Sequence, residues 1–292
     1  MSKRETTGER IFNVINTILL IFCGVITLFP FINIIATSLS SSRAIISNEV
    51  MLWPVEFTTE AYGRLIKDGQ LLRGLKNTVV ITAVGTLLNM MVTIFTAYAL
   101  SKKRLKGRKQ LMSFFVFTMI FSGGLIPTFI IIKSTNLVDT YWALWIPAII
   151  SVYNMTIMKN FFESVPISLE EAAQIDGASD WYIMFRIYIP LSKAVIATLS
   201  LFYAVYWWNN YSNVLYYIST TTKQTMTVIL MQMLDNVNES LMNGDSAIME
   251  KSLTPEGVKA AAIIFTTLPI MCVYPFVQRY FVKGVMIGSV KG

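Results

Sequence analysis

Apolar residues in this chain neither alternate as in a half-buried strand nor mark one stripe of an amphipathic helix. They fill long continuous runs. A bilayer core takes about 20 mostly apolar residues wound as a helix. Six runs reach that length: Ile11 to Ala36, Asn77 to Leu100, Leu111 to Ile132, Tyr141 to Phe162, Ala194 to Ile218 and Ala260 to Phe281. None contains an Asp or Glu. The pattern predicts an all-α polytopic membrane protein with six transmembrane helices. Lys3, Arg4 and Arg10 precede the first run as they would in a secretory signal. The run exceeds the usual h-region of about 7–15 residues and no A-x-A-like site follows, so it reads as a retained helix.

Composition agrees. Hydrophobic residues make up 54% and charged residues 14%, with a mean hydropathy of +0.56; soluble proteins carry about 25% charged residues. There is no His, which excludes His-based general-base catalysis and His metal sites. Cys23 and Cys272 lie far apart, each in an apolar run, and read as small buried hydrophobes rather than a thiol pair.

The formal charge of +7 points to nucleic acid or to membrane topology, according to where it sits. With the N-terminus inside, the cytoplasmic pieces hold 15 of the 24 Lys and Arg and seven of the 17 Asp and Glu. That leaves +8 inside and −1 outside, which favours cytoplasmic termini. The densest basic run, Lys102-Lys103-Arg104-Leu105-Lys106-Gly107-Arg108-Lys109, lies between the second and third spans. It reads as a topology signal, with no nucleic-acid partner.

What the spans lack narrows the mechanism. Proton-coupled transporters carry ionisable residues within their spans, and these spans have no carboxylate and no His. Sodium held by backbone carbonyls stays open. No G-x-x-x-x-G-K-[ST] phosphate loop occurs, so ATP is not bound in that way. Uphill transport would draw its energy from another chain, docked on the cytoplasmic side.

The inside segment 163–193 is the most informative. Ser168 and Glu171 have the spacing of a capping box, and Glu170 to Gln174 are good helix formers. Gly177 falls where a helix ends in the left-handed region, and Ser179 or Asp180 can cap a second helix running to Pro190. A surface amphipathic helix is one reading of this pattern. The offsets add another. Glu171-Ala172-Ala173, then Gly177, Ile187 and Pro190, with Glu170, Asp176 and Ala178 fitting the fuller form, resemble the EAA loop of ABC-importer permeases.

The resemblance extends over about 74–281, similar to the type 1 permease domain, and the whole chain resembles carbohydrate permeases of the maltose-transporter kind. The segment Phe121-Ser122-Gly123-Gly124-Leu125-Ile126-Pro127 and the tail from Arg279 to Gly292 resemble the branch associated with complex oligosaccharides. Ile189 replaces the usual Leu before Pro190, and Ala194 stands where many members have a second Pro, which implies a straighter approach to the fifth span. The resemblance implies that the loop docks in a groove of a separate ATPase, with Glu171 facing a basic group there and Gly177 allowing the turn. ATP-driven closure of the ATPase pair would then swing the permease from inward-facing to outward-facing.

In the fifth run, Tyr203, Trp207 and Asn210 share one face at helical spacing, a mixed aromatic and amide stripe. Two readings fit: a sugar pathway, or an interfacial belt with interhelical hydrogen bonds. Asn154 in the fourth run is a weaker candidate of the same sort. Gly123-Gly124 and Pro127 would loosen the third helix, either at a cavity or for close packing. The outside segment 219–259 carries a short apolar piece, Met226 to Leu234. It fits a surface loop and equally the loop that in maltose-type permeases reaches toward an external solute-binding protein.

The chain therefore reads as the permease subunit of an ABC importer for a carbohydrate, coupled to its ATPase through 166–181. Residues 1–73 hold the N-terminal segment, first helix and outside loop; 74–281 form the permease core; 282–292 are a cytoplasmic tail. Expected partners are a second related permease, two ATPase subunits that bind ATP-Mg, an extracytoplasmic solute-binding protein and the bilayer. The chain itself is expected to bind no cofactor or metal and to catalyse no reaction. Another solute class, a gradient-driven secondary transporter and a membrane scaffold are the alternatives.

Overall fold

The computed structural model describes residues 7–67, 69–242, 254–269 and 271–272. The described residues fall into two compact units, one drawn from Met1–Leu71 and Leu230–Pro269, the other mainly from Leu72–Ile229. The last part of the sixth run and the tail lie outside the described residues.

In the first unit, α1 (Thr7–Ser38) is one helix of 32 residues, long enough at about 1.5 Å per residue to overreach the hydrocarbon core. Its side chains from Ile11 to Phe29 are exposed almost all round, as suits a helix surrounded by lipid. Cys23 lies among them, so the expectation of buried cysteines fails there, because α1 has little of its own chain to be buried against. Cys272 is exposed as well. After α1 the chain turns through α2 (Ser42–Ile46) and α3 (Glu60–Lys67). Ser41 caps α2 by accepting from the Ala44 amide at 3.2 Å. Arg43 and Glu56 pair at 2.9 Å, and the Ser42 hydroxyl accepts from the Thr254 amide at 3.0 Å. Residues 255–269 are helical.

The second unit is built around α4 (Gln70–Ser101), also 32 residues. There follow α5 (Arg108–Ile120), α6 (Leu125–Ser134), α7 (Trp142–Trp145), α8 (Val152–Ser164), α9 (Ile167–Ile175) and α10 (Asp180–Ile183). A π-turn (Met184–Tyr188) leads to α11 (Ile189–Leu191), α12 (Lys193–Trp208) and α13 (Ser212–Tyr217); α14 (Met226–Met242) starts in this unit, and from Leu230 onward it belongs to the first.

The first two predicted spans are single helices, and the next three are broken. The third bends by 112° between α5 and α6. Gly124 sits there at φ 85°, ψ −179°, a region open essentially to glycine alone. The fourth run splits into α7 and α8. Pro147 cannot donate into a helix, and Ser151 starts α8 afresh by capping the Asn154 amide at 3.3 Å. The fifth stops at Trp208 and resumes at Ser212. The approach to the fifth span is not straight either: the 180–191 stretch and α12 meet at 83°. Losing a proline at Ala194 does not straighten a junction where Ser192 already ends the preceding helix.

Breaks inside a bilayer leave backbone groups that water cannot reach, and side chains satisfy them here. Asn89 donates to the Ala148 carbonyl at 2.6 Å, in the gap between α7 and α8. The hydroxyl of Tyr203 accepts from the Ser151 amide at 3.3 Å and meets the Thr93 hydroxyl at 2.7 Å. The Trp207 indole donates to Asn89 at 2.7 Å, and Trp145 donates to the Ile81 carbonyl at 3.3 Å.

On the far side of α7, the 137–141 turn is tied to 217–224. Asp139 accepts from the Thr220 amide at 2.9 Å, from its hydroxyl at 2.6 Å and from Lys223 at 3.0 Å. Those donors hold its carboxyl well below the usual carboxylate range. A depressed folded value means the tie contributes in full above the ordinary carboxylate pKa and is lost as pH falls through the folded one. Protection of the Thr220 amide against hydrogen exchange should hold from pH 7 to about 4 and fall only in stronger acid. In Asp139→Asn it should be low throughout. An amide as protected in the variant as in wild type would remove the carboxylate from this role.

Candidate functional site

The 163–180 segment is where sequence motif and geometry meet. α9 begins two residues earlier than the capping box implies: Pro166 precedes its first turn and accepts from the Leu169 amide at 3.2 Å. Ser168 lies in that first turn, exposed, and makes no cap. Proline, with φ already fixed and no N–H to place, starts the helix in its stead.

The other end follows expectation closely. Gly177 has φ 79°. Its amide donates to the Gln174 carbonyl at 3.0 Å, and the Ala178 amide donates to the Ala173 carbonyl at 2.9 Å. These are the two bonds of a Schellman motif, and Ala173 and Ala178 supply its apolar contact by packing on the same core. Ser179 caps the next helix by accepting from the Tyr182 amide at 3.3 Å. Nothing lies within 4 Å of a Cβ built on Gly177, so any penalty for a side chain there is backbone strain alone.

Neighbouring glutamates part company. Glu171 is exposed, whereas Glu170 is 8% exposed. Glu170 accepts from Lys102 at 2.6 Å and from the Tyr188 hydroxyl at 2.7 Å. Lys102, itself 8% exposed, lies 4.1 Å from the ring centre of Tyr98 and 3.8 Å from that of Tyr188. Phe162 closes the cage, its ring 6.2 Å from Tyr98 and 5.6 Å from Tyr188, edge-on to both. Burial pushes the Lys102 ammonium down from its ordinary value, and the bond to Glu170 opposes that shift. A buried cation is tolerated when paired and set against aromatic faces.

The second arm is held the same way. Arg104 pairs with Asp180 and stands 4.0 Å from Glu170. Tyr98 donates to the Asp180 carbonyl at 3.2 Å. Arg108 pairs with Glu163, which also accepts from Lys159 at 2.9 Å. Part of the basic run is thus structural. Lys102, Arg104 and Arg108 all answer acids of 163–180, while Lys103, Lys106 and Lys109 are exposed. Lys159, near the end of the fourth apolar run, is 8% exposed within α8.

These contacts leave a groove of about 810 Å³ beside α9, with Lys102, Lys103, Arg104, Glu163 and Glu171 among its lining residues. Outward from the clamp, α9 presents Glu171, Ala172 and Ile175, the last 87% exposed, with Asp176 as its exposed C-cap. Ile187 packs against the core and Pro190 is exposed, in α11 just before the bend. Ile175 carries no signal in the motif; its place at the free tip of an otherwise anchored helix marks it.

The residues weighed for a solute pathway are spread differently. Tyr203 is 3% and Trp207 0% exposed, both turned into the interior of the unit with their polar atoms bonded. Asn210 is buried beyond the end of α12, so it does not continue the helical face of Tyr203 and Trp207. Its side-chain nitrogen meets no partner among the described residues. Asn154 is buried in the first turn of α8.

The same architecture recurs in known proteins. The chain is 42% identical over 289 residues to Protein LplC of Bacillus subtilis (strain 168), covering 99% of this chain and 97% of that one. It is 41% identical to the polygalacturonan/rhamnogalacturonan transport system permease protein YtcP of the same organism, over 97% of this chain and 99% of the relative. A chain from the crystal structure of a bacterial ABC transporter involved in the import of the acidic polysaccharide alginate superposes with a TM-score of 0.89 at 34% identity, covering 96% of this chain and all of that one. Residues 78–287 match the family model described as binding-protein-dependent transport system inner membrane component; the chain belongs to that family of integral membrane permeases.

Proposed function

We propose that this chain forms half of the translocation pathway of an ATP-driven carbohydrate importer and takes its power stroke through 166–181. The observation that carries the reading is the clamp. Glu170 and Asp180 fix both arms of the loop to the end of α4 through Lys102 and Arg104, while Glu171 and Ile175 stay exposed. A push on the exposed tip therefore travels into α4 and α12 instead of bending the loop. ATP-Mg binds and is hydrolysed on two copies of a separate ATPase, and this chain does no covalent chemistry. A second, related permease completes the pathway, and an extracytoplasmic binding protein delivers the solute. The charge asymmetry favours both termini in the cytoplasm. The carbohydrate assignment leans on the pectic and alginate transport named for two of its relatives.

The test is ATP-dependent sugar uptake by the assembled transporter carrying Gly177→Asp, with Gly177→Asn as control. Asn adopts positive φ far more readily than other L-residues, so Gly177→Asn should keep most uptake. Gly177→Asp, which adds a charge at the docking turn, should lose uptake and ATPase association together. Uptake and association unchanged in Gly177→Asp would make the loop a surface helix.

A further inference from the structure

Tyr203 and Trp207 occupy the inward side of α12, and a different face of the same helix is open. Ser200, Ala204 and Trp208 recur every four residues and share that face. With Val79, Thr82 and Thr86 of α4 they border a groove of about 420 Å³, within the range of small-ligand sites, about 300–1,000 Å³. The small side chains at Ser200 and Ala204 keep it from closing.

Its polar groups are unspent. Trp145 and Trp207 donate their indole N–H groups to Ile81 and Asn89, while that of Trp208 meets no acceptor among the described residues. Thr78 and Thr198 return their hydroxyls to the carbonyls four residues back, at 2.8 and 3.0 Å, the ordinary solution for threonine in a helix. Thr82 and Thr86 do not. Their oxygens lie just beneath the groove surface without a partner among the described residues, one side-chain rotation from facing it. Buried hydroxyls left unbonded cost free energy, so a helix face that carries two of them next to an indole N–H with no acceptor among the described residues is poorly suited to lipid. α1, by contrast, is exposed almost all round from Ile11 to Phe29 with mostly apolar side chains.

An aromatic face beside a donor and several hydroxyls matches a pyranose ring, whose C–H face stacks while its hydroxyls exchange hydrogen bonds. No charged residue lines the groove, so a carboxylate would find no counter-ion there. We propose that the groove between α4 and α12 is a carbohydrate subsite that receives the uncharged face of a sugar ring, with Trp208 as stacking platform and Thr82, Thr86 and Ser200 as hydrogen-bonding groups. This rests on the carbohydrate reading above.

The test uses the assembled importer in proteoliposomes, with short galacto-oligosaccharides and oligogalacturonides as probes. Whichever probe the wild type imports is then followed in a variant combining Thr82→Val, Thr86→Val and Trp208→Leu. Uptake at saturating binding protein should fall about tenfold, as expected for several lost polar contacts, with ATP hydrolysis and permease yield near wild type. In parallel, Ser200→Cys is placed in a Cys23→Ser, Cys272→Ser background. Its labelling by a water-soluble maleimide should slow when the imported sugar is trapped with ATP and vanadate. Unchanged uptake in the combined variant overturns the subsite while leaving the transport reading intact. Should the combined variant lose yield as well, the labelling decides: protection by sugar upholds the subsite, and its absence overturns it. Failure of the wild type to import either probe while ATP hydrolysis is stimulated by the binding protein overturns the carbohydrate reading and the subsite with it.

Discussion

Glu170→Ala is expected to uncouple and destabilise the chain together. The substitution strands Lys102, an 8% exposed cation, between two aromatic rings and removes the acceptor of the Tyr188 hydroxyl. Breaking one side of a buried ion pair costs about 3–5 kcal/mol, whereas replacing both partners with apolar residues is often neutral. The double variant Glu170→Leu with Lys102→Met should therefore recover most of the thermal stability lost by Glu170→Ala, as measured on the detergent-purified chain. A pairwise coupling well above the about 0.5 kcal/mol expected of independent sites is the diagnostic quantity. Glu171→Ala, one residue along, should leave the melt unchanged and weaken only ATPase association, because its side chain is exposed. Equal melting of wild type and Glu170→Ala would mean that the clamp does not hold the loop.

Gly85→Leu should be the most damaging single change in the second unit. A Cβ at Gly85 would come within 2.5 Å of the Trp207 ring, closer than side chains approach one another in packed interiors, and Trp207 is itself 0% exposed. The ring has nowhere to go, since its indole is bonded to Asn89 at 2.7 Å, and Asn89 in turn supports the Ala148 carbonyl. Overpacking a core by a few methylenes costs about 1–3 kcal/mol, and displacing Trp207 would also unmake the support of the break between α7 and α8. The expected result is little or no folded permease in the membrane fraction. Trp207→Ala, which leaves a cavity and an unpaired Asn89, should cost about 3–5 kcal/mol and lower the melting temperature without abolishing insertion. A Gly85→Leu chain purified at wild-type yield and melting temperature would contradict this packing.

The two changes act on features of different legibility. The Schellman turn at Gly177 could be read from the chain because a glycine after a run of helix formers is a local signal. So could the break at Gly124, whose backbone conformation is closed to other residues. The start of α9 was misplaced for an equally local reason: the Ser168–Glu171 spacing competes with Pro166, and the proline prevails. The clamp was not legible in the same way. Lys102, Arg104 and Arg108 count toward topology whether or not they find partners, and their acids lie 55–76 residues away. Glu170 and Glu171 are adjacent and chemically alike. They point about 100° apart on a helix, and which one is buried depends on what stands beside α9.

By itself the sequence determined the class of this protein, its long apolar helices, the uneven distribution of its basic residues and the loop that bears the family motif. Those are properties of composition and short offsets, set by the length a bilayer demands and by the local preferences of glycine, proline and helix formers. Only the tertiary structure decided which spans break, which glutamate is clamped, and that Tyr203 and Trp207 turn inward while Trp208 faces a groove. Each of those rests on a partner distant in the chain: a buried charge, an orphan carbonyl or a bulky ring is tolerated only where another helix brings the group that answers it.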